Sequence, residues 1–158
     1  MNIQQKNELN IAYLQTRYSI DLPENKIWIS PLANNSDLSS FLAGKKVKYW
    51  ALVTPFNPGS TFLTHNENEL RLNRFEQEDL LQLKESRNIE YYPSISRPTD
   101  PELEGEVGFF VANIFPWEAV RLGHKWGQNA ILVGKSDGFA ELQWCYHESQ
   151  FYNSESGS

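Results

Sequence analysis

The apolar positions of this chain fall into short blocks separated by turn residues. Over residues 6–17, Leu9, Ala12 and Tyr13 recur at helical spacing. Ile27-Trp28-Ile29, bounded by Pro23 and Pro31, reads as a short strand. Leu38, Phe41 and Leu42 predict a helix over 37–43, capped by Ser36 or Asp37 and stopped by Gly44. Residues 47–54 form an apolar strand that breaks off in Thr54-Pro55-Phe56-Asn57-Pro58-Gly59-Ser60.

Thr64 and Glu67 match a capping box, so a helix over 65–86 should follow, with Leu72, Phe75, Leu80 and Leu83 on its apolar side. Residues 89–95 read as a strand in which Pro93 signals an edge or a bulge. A Pro-rich acidic loop over 96–106 leads into an apolar strand over 107–113. Pro116 suits the first turn of a helix over 116–126, with Gly127 just past its end. Ala119, Gly123 and Trp126 share a face of that helix, and the two small residues allow close approach to a sheet. Ala130–Val133 is a strand, and Ser136-Asp137-Gly138 turns the chain into a last strand over 139–146.

From residue 47 the order is strand, helix, strand, strand, helix, strand, strand. This predicts an α+β fold: a single-layer mixed sheet packed by helices, with a split βαβ (ferredoxin-like) core and an N-terminal extension. The right-handed crossover rule puts both long helices on one sheet face. A single domain over 1–150 and a flexible acidic and polar tail over 151–158 are expected.

Composition narrows the function classes. With 40% hydrophobic residues in 158, the chain can build a core. A net charge of −6 argues against a nucleic-acid partner and against an anionic membrane surface. The one cysteine, Cys145, excludes an internal disulfide, and with three histidines it is too isolated for a usual zinc site. No apolar run reaches transmembrane length and no signal-peptide core opens the chain, so a cytoplasmic location is expected. No cofactor and no metal are expected.

Four groups of residues carry candidate chemistry. Thr54, Asn57 and Ser60 sit on the strand-ending turn; they either bond their own backbone or present neutral hydrogen-bonding groups to a ligand. Asn68 and Arg71 lie one turn apart near a helix N-terminus, where Arg71 could hold an anion or merely balance surface carboxylates. Gln128, after Gly127, either reaches a site or satisfies buried backbone. Asp100, Glu102 and Glu104 read as a solvated acidic loop, but Glu106 abuts an apolar strand, where desolvation would raise its pKa and make it the best general-base candidate. No nucleophile elbow, Walker A or dinucleotide-binding glycine motif occurs, and Cys145 reads as a packing residue.

Several stretches taken in order resemble a known family. They are Tyr13…Thr16-Arg17-Tyr18, Val53-Thr-Pro-Phe-Asn-Pro58, Glu67-Asn68-x-x-Arg71, Glu106 before an apolar strand, and Gly127-Gln-Asn-Ala-Ile131. Together they are similar to the bacterial domain of unknown function number 3293, over about residues 9–134. Pro55 departs from the alanine of the family pattern, and Gly108 stands where the family tends to carry serine. The resemblance implies a stand-alone cytoplasmic domain without a settled activity.

The expectation from sequence is therefore a domain binding a small polar, anionic ligand through Thr54, Asn57, Asn68, Arg71 and Gln128, with Glu106 as the base if chemistry occurs. The alternative is a protein-interaction module using exposed aromatics such as Trp117, Trp144 or Tyr146.

Overall fold

An inner strand of the sheet is β3 (Tyr49–Val53), whose five residues are buried or nearly so because both faces of the sheet are covered. In the computed structural model, which describes residues 2–145, it is preceded by α1 (Ile3–Gln15), β1 (Arg17–Asp21), β2 (Lys26–Ile29) and α2 (Ser36–Lys45). A short 3₁₀ turn (Pro58–Ser60) follows it, then α3 (His65–Phe75), a π-helical turn (Glu76–Leu80) and α4 (Leu81–Arg87). The chain continues through β4 (Glu90–Arg97), β5 (Glu106–Ala112), α5 (Pro116–Lys125), β6 (Ala130–Lys135) and β7 (Ala140–Trp144). Tyr146, expected to end the last strand, and the tail over 151–158 lie outside the described residues.

The seven strands form one sheet in the order β2-β1-β4-β5-β3-β6-β7. The fold is α+β as expected, but the sheet is antiparallel throughout rather than mixed. The reason is connectivity: β5 turns back from β4 as a hairpin and occupies the position beside β3, so each neighbour runs opposite to the next. β1 was not foreseen. It pairs with β4, which makes β4 an internal strand. Pro93 is tolerated there because the β1 ladder ends at Ser94, leaving the Pro93 position unpaired on that side.

Two cores flank the sheet. On one face Val53, Phe109, Val111, Ile131 and Val133 pack against Phe75 and Leu80 from the long helix and Ala119, Leu122 and Trp126 from α5. Both long helices thus serve the same face. On the other, Trp50, Leu52, Phe110 and Leu132 pack with Leu38 and Leu42 of α2 and with Tyr18 and Ile20 of β1.

The π turn explains a spacing that a regular helix would not accept. Leu72 and Phe75 are three apart, and so are Leu80 and Leu83, but Phe75 and Leu80 are five apart. Five residues of α-helix rotate about 500°, which would turn Leu80 roughly 140° away from Phe75. The wider π turn absorbs one extra residue. Phe75 and Leu80 are then both fully buried in one cluster, with Leu72 and Leu83 packed against it.

The Thr64–Glu67 capping box forms with both hydrogen bonds in place, at 3.1 and 3.2 Å. The start and stop of α2 differ from expectation. Its N-cap is Asn35, whose side chain bonds Ser30, Ala33 and Gly138 instead of the helix. The helix runs through Gly44 and ends at Lys46, which takes the left-handed conformation at φ 58°. On α5, a Cβ at Gly123 would stand 2.6 Å from the Cys145 sulfur, so the small residue does permit close approach.

Phe75 stacks on Phe109 at 6.1 Å and meets Trp126 edge-on at 5.5 Å, joining the long helix to both the sheet and α5. Phe75→Ala is expected to cost about 3–5 kcal/mol. Urea unfolding followed by tryptophan fluorescence measures it, and Phe75→Leu should lose clearly less.

Candidate functional site

The turn after β3 is held in a left-handed path. Asn57 has φ 48°, Gly59 φ 61° and Ser60 φ 62°. Asparagine tolerates this conformation better than most residues, whereas serine is strained there. Asn57 uses its whole amide to stay in place. Its Oδ1 accepts from the Leu63 backbone N–H and from Asn68 Nδ2, both at 2.9 Å. Its backbone N–H donates to Asn68 Oδ1 at 3.0 Å, and its Nδ2 donates to Glu106 Oε1 at 3.1 Å. Asn68 is buried, so the reciprocal amide pair fixes the orientation of both side chains.

Thr54 closes the base of the turn. Its Oγ1 donates to the Val107 carbonyl at 2.6 Å and accepts from the Phe56 N–H at 3.1 Å, tying the end of β3 to the start of β5. Gly108 lies directly beside it: a Cβ there would come within 2.4 Å of the Val53 carbonyl oxygen. The serine expected at this position in the family pattern would therefore need β3 and β5 to shift.

Arg71 lies behind the turn. Its Nε donates to the Pro55 carbonyl at 2.7 Å and its Nη2 to the Trp126 carbonyl at 2.6 Å, while the guanidinium lies 5.3 Å from the centre of the Trp126 ring. Burial, and then neighbouring Arg74, pull its pKa down. Arg71 thus bridges the turn and the end of α5. Gln128 also bonds the turn, with Nε2 donating to the Phe56 carbonyl at 2.8 Å. Gly127 accepts the Gly59 N–H at 2.7 Å on its carbonyl. A side chain at Gly127 is excluded twice, by φ 77° and by Pro58, whose Cβ would stand 2.6 Å from the new Cβ.

A cavity of about 200 Å³ opens on the opposite side of the turn. Thr54, Asn57, Glu106 and Gln128 line it, whereas Asn68 and Arg71 do not. One wall is the face of α1 that carries Leu9, Ala12 and Tyr13, continued by Thr16. The other wall is the sheet, with Tyr18, Leu52, Ser94, Ser96, Ala130 and Leu132. Phe62, 72% exposed, belongs to the same lining. Of the acidic loop, Glu104 reaches the cavity, while Asp100 takes the Glu102 N–H into a local turn.

All six residues singled out from sequence therefore gather around one turn. Four face the cavity and two brace the turn from behind. Sequence reasoning missed Asn129, which lines the cavity and donates from Nδ2 to Ser60 Oγ at 3.0 Å. Its signal was the pair of consecutive amides entering a buried strand. It also missed the wall supplied by α1 and β1, although Tyr13, Thr16 and Tyr18 stood among the family-like motifs. Cys145 is buried in the core, where burial pushes its thiol up to about 12, consistent with a packing role; His147 lies outside the described residues.

Burial raises the pKa of Glu106 above its ordinary 4.5, and the hydrogen bond from Asn57 only partly offsets that. A raised value is typical of carboxylates prepared for proton transfer or for a charged partner.

This geometry defines an α+β domain with a hydrogen-bonded turn beside a partly desolvated carboxylate. The family described as a protein of unknown function, DUF3293, matches residues 53–131, half of the chain, and the chain belongs to it. No curated protein and no solved structure matches the chain. The matched segment begins at the end of β3 and closes in β6, so it contains the whole bracing network but not α1.

Two predictions follow from the bonding. Arg71→Ala should destabilise the fold by about 2–3 kcal/mol, because two partly buried carbonyls lose a charged donor. Arg71→Lys should restore only part, having no planar fork; chemical denaturation of the three proteins measures both. For Glu106, the protonated form is favoured in the fold. That stability is fully present below the ordinary value near 4.5 and is lost as pH rises through the higher folded value. Glu106→Gln should therefore raise the melting temperature at pH 7, and the gain should vanish by about pH 4. Calorimetry at the two pH values reads the sign, and a lower melting temperature for the variant at pH 7 would contradict it.

Proposed function

We propose that this protein binds a small polar ligand in the cavity between α1 and the sheet, with Asn57 and Glu106 at its polar end. The observation that carries the reading is the 3.1 Å bond from Asn57 Nδ2 to Glu106 Oε1 in the wall of that cavity. A turn that only had to reverse the chain would not need a carboxylate in a desolvating position. The strain at Ser60 and the three left-handed residues supply the same argument, since such cost concentrates where a site has to be held in shape. Should the bound molecule react, Glu106 is its base.

The anion expected for Arg71 loses its support in this reading. That guanidinium is engaged by two carbonyls and lies outside the cavity lining. Thr54, Asn68, Arg71 and Gln128 then serve the ligand by holding the Asn57 turn. For the scaffold, we propose the ferredoxin-like arrangement, supported by the core order β4-β5-β3-β6 and by both long helices packing on one face. A cytoplasmic location without nucleic-acid or membrane partners fits the net charge of −6 and the single buried thiol. No helix among the described residues is long and apolar enough to cross a membrane.

One feature favours the alternative of an interaction module. Phe115 and Trp117 stack at 6.5 Å on the surface at the start of α5, 42% and 59% exposed. Trp144, by contrast, is half-buried and meets Tyr13 edge-on at 6.2 Å. Tyr146 lies outside the described residues.

Ala12→Phe separates the two readings. Ala12 is an exposed residue of α1 that lines the cavity, so a ring there fills the space without touching the Asn57 network. In a thermal-shift screen of amino acids, amines, nucleotides and sugar phosphates, a ligand at about a hundred times its Kd should stabilise the protein by about 2.7 kcal/mol. Ala12→Phe should abolish that shift. A shift that survives the substitution argues for binding elsewhere and against the cavity.

A further inference from the structure

The cavity's hydrogen-bonding inventory is lopsided. Two carboxylates, Glu104 and Glu106, line it, and no lysine, arginine or histidine does. The hydroxyls of Thr16, Tyr18, Thr54 and Ser96 already donate to the carbonyls of Ala12, Tyr13, Val107 and Glu106. The side-chain amides of Asn57, Gln128 and Asn129 each spend one of their two N–H groups on a protein acceptor. Among the carboxylate and amide oxygens of the lining, both of Glu104, Glu106 Oε2, Gln128 Oε1 and Asn129 Oδ1 take no hydrogen bond from a described residue. Yet no fully buried polar side-chain atom among the described residues is left without a partner. Since Gln128 and Asn129 are each less than a tenth exposed, their free oxygens keep contact with open space in or beside the cavity.

A site whose charged groups are both carboxylates selects a ligand that brings a cation. An ammonium group carries three donors and no acceptor, and a carboxylate binds it more strongly than it binds a neutral hydroxyl. A ligand carboxylate entering the same space would face Glu104 and Glu106 without a protein cation to offset it. Much of the remaining lining is apolar, with Leu9 from α1 and Leu52, Leu132 and Leu142 from the sheet. Size sets the body: a dry 150 Å³ cavity accepts benzene, so about 200 Å³ accommodates an aromatic ring or short alkyl chain plus a small head.

We propose that the ligand is a small primary amine with an apolar body, its ammonium held by Glu106 and by the amide oxygens of Gln128 and Asn129. This deepens the cavity reading and rests on it.

Three probes with one body test it: 2-phenylethylamine, 2-phenylethanol and phenylacetate, titrated calorimetrically into the protein near neutral pH. The amine should bind at least tenfold more tightly than the alcohol, and phenylacetate should not bind measurably. Glu106→Gln should cut amine affinity tenfold or more and leave the alcohol unchanged. Ala12→Phe should abolish amine binding, which excludes loose attraction to an acidic surface. Phenylacetate or the alcohol binding as well as the amine, with Ala12→Phe removing that binding, overturns the amine inference and leaves the cavity reading standing. Amine binding unaffected by Ala12→Phe, or no binding by any probe, overturns both.

Discussion

The left-handed turn at Asn57 is the constraint on which the arrangement depends. Four separate parts of the chain end within hydrogen-bonding distance of it: the last residues of β3, the first turn of α3, the first residue of β5, and the junction between α5 and β6. Each of these is a place where a secondary-structure ladder stops and leaves groups unpaired. Asn57 and its neighbours answer them with side chains rather than solvent. Its amide is well suited, offering two donors and an acceptor from one planar group. The turn therefore sets the relative positions of a strand end, a helix start and a carboxylate.

That arrangement separates bracing from exposure. Arg71 and Asn68 stand behind the turn and satisfy backbone or amide groups. Glu106, Gln128 and Asn129 line the cavity. Burial works against the ionised form of Glu106 while the Asn57 bond works for it, and burial is the larger effect. Such a carboxylate costs the fold stability near neutral pH. The bracing groups make the cost bearable, since a turn with fewer hydrogen bonds would relax and let the carboxylate swing to water.

Much of this was legible in the sequence, and the failures have physical causes. Periodicity located the long helices and most strands because their apolar stripes are broad. Thr64 and Glu67 announced a cap through a local rule that tertiary structure did not override. β1 escaped because five residues with only two apolar side chains give too little alternation to detect, and its partners lie far along the chain. Gly44 misled because the glycine rule competes with continuing hydrogen bonds, and Lys46 took the left-handed position instead. The six residues singled out from sequence do gather around one turn, yet the contacts each makes there were not readable. Whether Arg71 meets a ligand or a carbonyl depends on which side of the turn it approaches from, and one-dimensional spacing holds no such information. The charge of the cavity was equally hidden, because its two carboxylates, Glu104 of the acidic loop and Glu106 of β5, gain a shared space only when the chain folds.

α1 buries no side chain completely, although one of its faces walls the cavity. Segments with so little buried surface open locally, at a free-energy cost well below that of global unfolding. In the proposed binding role, detachment of this one helix from the sheet would open the cavity with the Asn57 turn left standing. Residence time would then follow the rate of that detachment rather than the strength of the polar contacts alone. An occupant touching both walls would in turn fasten α1 to the sheet, so the backbone amides of residues 3–15 would report occupancy through slowed hydrogen exchange while the strands stay unchanged.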